Sequence, residues 1–351
     1  MKAHIYLSAL ATSVILAACS PSISDSPADA DSVPKTLTIY SSRHYDSDRL
    51  LYDAYEEKTG VNVQVRESGA DQLLETMKAE GDNSPADLII AADAGALWRF
   101  QDAGLTQAIS NDAINAKVPA KMRQADGHWF GVAKRIRLVA YDPARFEESD
   151  VDNWVKLAAE DKRGEICVRS SSNIYNLSLM AEMIDRLGAE QAGEWAQAIV
   201  ANMARNPQGG DTDQVRAVAA GECGIAIVNH YYWARLATSA AAADRNVANA
   251  TKLVIPSFPD ANGAHTNITG IAVTASADDT AIATAFIEFL LTDEGQALLT
   301  TETKEFPILA TAPLPNGAEL VPVSDVSDTP LEVFGINQAE AQRLYDLAGW
   351  N

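Results

Sequence analysis

Tyrosine recurs just past the ends of three apolar runs in this chain, and phenol oxygens gathered from three strands would suit a hard, highly charged cation. The first run, Thr36 to Tyr40, leads into Ser41-Ser42-Arg43-His44-Tyr45. The second, Glu165 to Arg169, leads into Ser170-Ser171-Ser172-Asn173-Ile174-Tyr175, and the third, Gly224 to Asn229, into His230-Tyr231-Tyr232. In an open α/β sheet, ligands bind beyond the carboxyl ends of the strands, so residues past three separate strands can converge on one point. A free tyrosine titrates near pH ~10 and coordinates poorly until a strong Lewis acid displaces its proton. Ferric iron does so, and hard anionic oxygens suit it where thiolates suit softer metals. Four phenolates around Fe³⁺ leave one net negative charge, which a nearby arginine offsets. Neighbouring residues on a strand point to opposite faces, so Tyr231 and Tyr232 reach one ion only if the strand has ended. Asn229-His230 is the expected end, with Trp233-Ala234-Arg235-Leu236 starting a helix.

Other chemistries find less support. No G-x-S-x-G elbow, H-E-x-x-H pair or phosphate loop occurs, and the chain holds only five histidines, so catalysis is not expected. Asp211-Thr212-Asp213 lacks the further acidic ligands of a calcium loop and reads as a helix cap. Tyr52 and Tyr55 are expected in the core. Arg135 and Arg137 share one strand face by alternation, and spacing alone does not choose between them.

The elements that position these residues follow from the pattern. The 351 residues, 47% hydrophobic, allow about two domains. Residues 1–18 carry a lysine, an apolar run and small residues, the layout of a signal peptide. Leu16-Ala17-Ala18-Cys19 resembles a lipobox, and residues 19–34 read as a lipidated cysteine followed by a flexible tether, the chain's expected contact with a membrane. A formal charge of −21 argues against nucleic acid as a partner. Cys167 and Cys223 remain in the exported part, where a disulfide persists if they lie within bonding reach.

From Lys35 onward, short apolar runs alternate with amphipathic stretches, the signature of βαβ units. Helices are expected at 48–58, 71–80, 93–103, 176–187, 189–202, 212–220, 279–291, 293–300 and 339–347. Strands are expected at 36–40, 61–65, 87–91, 165–169 and 224–229. The basic run 133–141 and the run 265–273 read as crossings between two α/β lobes.

These blocks resemble bacterial periplasmic ferric-iron-binding proteins that feed an ABC importer. The resemblance rests on Tyr40-Ser41-Ser42-Arg43-His44-Tyr45, Asn83-Ser84-Pro85-Ala86-Asp87, Val168 to Asn176, Pro207 to Gln214 and Tyr231-Tyr232-Trp233-Ala234-Arg235. It implies a type II periplasmic-binding-protein fold with the ligand in an interlobe cleft. The lobes would be residues 35–133 plus 266–305 and residues 134–265 plus 306–351. It also implies Fe³⁺ as transported ligand, held by Tyr45, Tyr175, Tyr231 and Tyr232 with His44 as a fifth ligand, and carbonate or water completing the shell. Arg43, Arg135 and Arg235 would lie beside the site, balancing phenolate charge or holding an anion. His230 stands where such proteins commonly carry a small polar residue, so its imidazole is a further candidate. The implied partner is an ABC permease, the expected state a monomer in the periplasm. A protein of the same fold for a ferric chelate, an anion or a small organic cation is the alternative.

Overall fold

Apolar runs without polar alternation build strands buried on both faces. The structure, a computed structural model, describes Met1 and residues 35–259, 263–322 and 325–351. The expected signal peptide beyond Met1, Cys19 and the expected tether lie outside the described residues. Nine strands occur among the described residues: β1 (Thr36–Ser41), β2 (Asn62–Glu67), β3 (Leu88–Ala91), β4 (Phe130–Tyr141), β5 (Ile166–Cys167), β6 (Ile225–Asn229), β7 (Lys252–Val254), β8 (Thr266–Val273) and β9 (Phe306–Pro307). Their pairing order is β2-β1-β3-β8-β4-β6-β5, with β7 and β9 added on β4.

β4 carries this path from one half to the other. Its Phe130–Ile136 portion runs antiparallel to β8, and Arg137–Tyr141 runs antiparallel to β6. Among the described residues β8 pairs with β3 and β4 alone, so β4 is the strand that continues the path from the first half into the second. Strand alternation sends side chains into separate cores on opposite faces. In the first half Leu37, Ile39 and Ile90 join a core with Phe286 and Ile287, while Tyr40 and Ile89 face Leu73 and Phe100. In the second half Val139 and Ile227 face Trp154 and Trp195, while Leu138 and Val228 face Val215 and Leu236. Tyr52 and Tyr55 lie in the first core. Their rings pack against Phe286, with centroids 6.2 and 4.9 Å away.

Three boundaries move from their expected places, each for a local reason. Phe130 and Gly131 join β4 instead of forming the end of a turn, because Phe130 finds a partner in Ile271 of β8. Only Ile166 and Cys167 of the expected strand 165–169 pair, as the neighbouring β6 is matched only at those positions. The next helix starts at Ile174, where the Asn173 side chain accepts the Tyr175 N–H at 3.1 Å.

The C-terminal segment is shared between the halves, unlike the single-lobe assignment of 306–351. β9 pairs with Ala133 and Lys134, and Leu331 and Phe334 enter the first core. The helix Gln338–Ala348 instead places Leu344 and Tyr345 in the second. A short helix, Val333–Ile336, passes so close to the helix Ala94–Asp102 that a Cβ on Gly335 would stand 2.5 Å from a Trp98 ring carbon. Cys167 and Cys223 form a disulfide inside the second half, their Cα atoms 5.9 Å apart and both side chains buried.

Candidate metal centre

Tyr45 lies in the turn after β1, its carbonyl accepting the N–H of Asp48 at 2.9 Å as the helix Asp48–Thr59 begins. Tyr175 is the second residue of the helix Ile174–Leu187, which follows β5. Tyr231 and Tyr232 occupy the first turn of the helix His230–Ala237, which follows directly on β6. That helix starts three residues earlier than the sequence pattern indicates. Helical rather than extended geometry is what lets two adjacent phenols face the same way, and their ring centroids are 4.4 Å apart. First-turn positions also favour negative charge, because unpaired N–H groups give a helix start a partial positive charge.

Four guanidinium groups surround these rings. Arg235 sits 5.1, 5.0 and 5.3 Å from the ring centroids of Tyr45, Tyr231 and Tyr232. Arg43 lies 4.9 Å from the Tyr45 ring, and Arg135 and Arg169 lie 5.6 and 5.5 Å from the Tyr175 ring. Carboxylates behind them fix their direction. Arg43 is bound to Asp48 at 2.8 Å and to Glu305 at 2.7 Å, all three groups buried. Arg135 reaches Glu305 at 3.2 Å, Thr269 at 2.7 Å and the Ala92 carbonyl. Arg169 pairs with Asp211 at 3.4 Å, and Arg235 donates to the Thr303 carbonyl at 3.0 Å.

The electrostatics follow from burial and mutual proximity. Burial pushes the Tyr175 phenol up, with Tyr232 and Tyr45 adding and Arg135 and Tyr231 opposing. Burial raises Tyr231 further, with Tyr175, Tyr45 and Tyr232 adding. Raised in this way, the Tyr175 and Tyr231 phenols keep their protons at pH ~7 without a cation. Burial is the largest influence on Glu305 and would raise it, yet Arg43 and Arg135 hold its carboxyl down to about 2. Among the described residues, no group of three His, Cys, Asp or Glu side chains could hold a metal.

The structure sorts the remaining candidates. His44 is exposed and shares with Tyr175 the wall of a pocket of about 340 Å³. The His230 ring meets the Tyr231 ring edge to face, centroids 5.6 Å apart, but both of its nitrogens are committed elsewhere. Its Nδ1 accepts the Ile136 N–H at 3.1 Å, its Nε2 faces the Lys304 carbonyl at 3.1 Å, and its ring stacks on Phe306 with centroids 4.1 Å apart. Burial drives its pKa down to about 3, so it stays a neutral structural imidazole with both nitrogens engaged. Arg137 is also structural, tied to Asp211 at 3.0 Å and Asn229 at 3.1 Å. That separates it from Arg135 on the same strand face.

Three contributors were not legible as such. Arg169 closes one strand run and carried no mark separating it from a surface charge. Asp211 read as a helix cap, yet it is buried, binds Arg137 and Arg169, and accepts the Asn229 N–H at 2.7 Å. Glu305 lies in a polar stretch, Thr301 to Glu305, that looks solvated; only the fold brings β1, β4 and β8 around it.

The profile of bacterial extracellular solute-binding proteins matches residues 51–322. The chain belongs to that family. Within the solute-binding proteins it is 35% identical to iron uptake protein A1 of Synechocystis, over 96% of this chain and 94% of that one. It resembles the solved structure of Trichodesmium FutA in complex with iron and citrate, with a TM-score of 0.85 and 39% identity over 90% of this chain and all of the other. A ferric binding protein from Campylobacter jejuni gives 0.84 and 36%, over 90% of this chain and all of that one. The expected type II periplasmic-binding-protein architecture is thus the architecture of this solute-binding protein.

Proposed function

We propose that this protein captures ferric iron outside the cytoplasm through the phenolates of Tyr45, Tyr175, Tyr231 and Tyr232 and delivers it to the permease of an ABC importer. The observation that carries this reading is the meeting of four phenols from three chain segments inside a ring of Arg43, Arg135, Arg169 and Arg235. Similarity to an iron uptake protein and to ferric binding proteins supports the choice of cargo. His44, which lines one pocket with Tyr175, is the proposed fifth donor, with carbonate or water completing the shell. The guanidiniums offset surplus phenolate charge and draw in an anion that arrives with the metal.

Uptake works by deprotonation. Each phenol that binds releases a proton, so affinity falls as the pH drops. Anionic oxygens favour Fe³⁺ over Fe²⁺, and opening, protonation or reduction releases the ion. Residues 35–133 plus 266–305 and residues 134–265 plus 306–351 are the bodies that close on it, the second reaching into the first core through Leu331 and Phe334. The protein acts as a monomeric periplasmic receptor rather than as a catalyst, tethered by a lipidated Cys19.

Titration of the metal-free protein with ferric citrate tests this. Phenolate-to-iron charge transfer should colour the solution, with one iron per chain by metal analysis. Tyr175→Phe and Tyr231→Phe should each lose iron. Unchanged iron content in both variants sinks the site, and a colourless complex favours a cage that uses ring faces for an organic cation.

A further inference from the structure

Alternation along β4 gives the strand two unlike faces. Arg135 and Arg137 point toward the tyrosines and their supports, whereas Lys134 and Ile136 point to the other side. There they line a pocket of about 290 Å³ with Phe306, Pro307, Leu309 and Leu314. Ala310, Ala312, Pro322 and Val326 also line it, and among the described residues Lys134 is the only charged one in its lining. Lys134 is half-buried, and no hydrogen bond or ion pair engages its ammonium among the described residues. Burial alone lowers its pKa, with no neighbouring charge contributing. A desolvated cation facing an apolar hollow is costly unless an anion joins it. Leu314 is 48% exposed at the rim, so the hollow opens to solvent.

We infer that this pocket binds a free medium-chain monocarboxylate, its carboxylate on Lys134 and its hydrocarbon body on Ile136, Phe306, Pro307 and Leu309. Size and charge both select that class. A volume of about 290 Å³ gives room for a medium-chain acid such as octanoate. A dicarboxylate would leave its second charge against apolar wall, and an amine would face Lys134 with like charge. The site is separate from the tyrosine cluster, since its residues occupy the opposite face of β4.

Isothermal titration of the metal-free full chain with sodium octanoate tests the inference, with octylamine and 1-octanol as comparison ligands. Octanoate should bind one to one, octylamine should not bind, and octanol should bind more weakly than octanoate. Lys134→Met should weaken octanoate about tenfold or more, the effect of removing a charge-assisted hydrogen bond. Ala312→Trp, which fills the hollow, should abolish binding, and both variants should keep the wild-type iron content. No binding to the wild type, equal binding to Lys134→Met, or octylamine binding as well as octanoate would each overturn the proposal.

Discussion

The two halves of the molecule furnish the tyrosine cluster unequally. The half built on β1, β2 and β3 contributes Tyr45 alone, placed by a turn and backed by Arg43, which Asp48 and Glu305 hold rigidly. The half built on β5 and β6 contributes Tyr175, Tyr231 and Tyr232, all in first helical turns, with Arg169 fixed by Asp211. A disulfide joins the strand before Tyr175 to the segment that enters the strand before Tyr231. If the four phenols hold the ion as proposed, three donors stand on one half and the fourth on the other, so one half would capture the ion and the other latch it.

The strongest test of that asymmetry removes two donors from the capturing half. Tyr231→Phe with Tyr232→Phe should lower ferric affinity by more than the roughly hundredfold seen for the residues behind metal ligands, and abolish the visible absorption band. A retained band would place the ion elsewhere. Next in size is the staple. Cys167→Ala with Cys223→Ala opens a loop of 56 residues and should lower unfolding stability by about 4 kcal/mol, read from denaturant midpoints. Tyr45→Phe should cost less affinity than the pair, about tenfold, keep the band and speed release in stopped flow. An affinity loss matching that of the pair would show the halves to be equivalent.

The smallest effect concerns the supports and acid. His230 titrates at about 3 in the folded protein and near ~6.5 when unfolded, so the unfolded chain binds the extra proton between those values. Stability of the metal-free protein should therefore fall as the pH drops from about 6.5 toward 3. Glu305 adds to the loss below about 4.5, because its folded carboxyl stays ionised down to about 2. Replacing His230 by Gln should flatten the upper part of that slope in thermal melts at pH 4 to 7. An unchanged slope would assign it to other groups.

Much of this was legible before any coordinates. Apolar runs of four to six residues, separated by amphipathic stretches, are enough to call an α/β chain, because a strand buried on both faces has no polar positions to spare. Tyrosines beyond strand ends marked one place for chemistry, and export signals with two cysteines opened the way to a disulfide. The register of Tyr231 and Tyr232 was harder. That they leave the strand was readable, whereas the start of the helix at His230 depends on β6 ending at Asn229, whose N–H is held by Asp211 eighteen residues away.

By itself, then, the sequence determined the class of fold, the order of its elements and the residue type that would meet a hard cation. Only the tertiary structure decided that His230 is a core imidazole, that Arg135 faces the phenols while Arg137 braces the strand, and that Arg169, Asp211 and Glu305 belong to the site. The reason is physical. Periodicity and capping act between near neighbours and are written locally, but a charge's role depends on which distant groups desolvate and pair with it. Arg43 and Glu305 meet across 262 positions of chain.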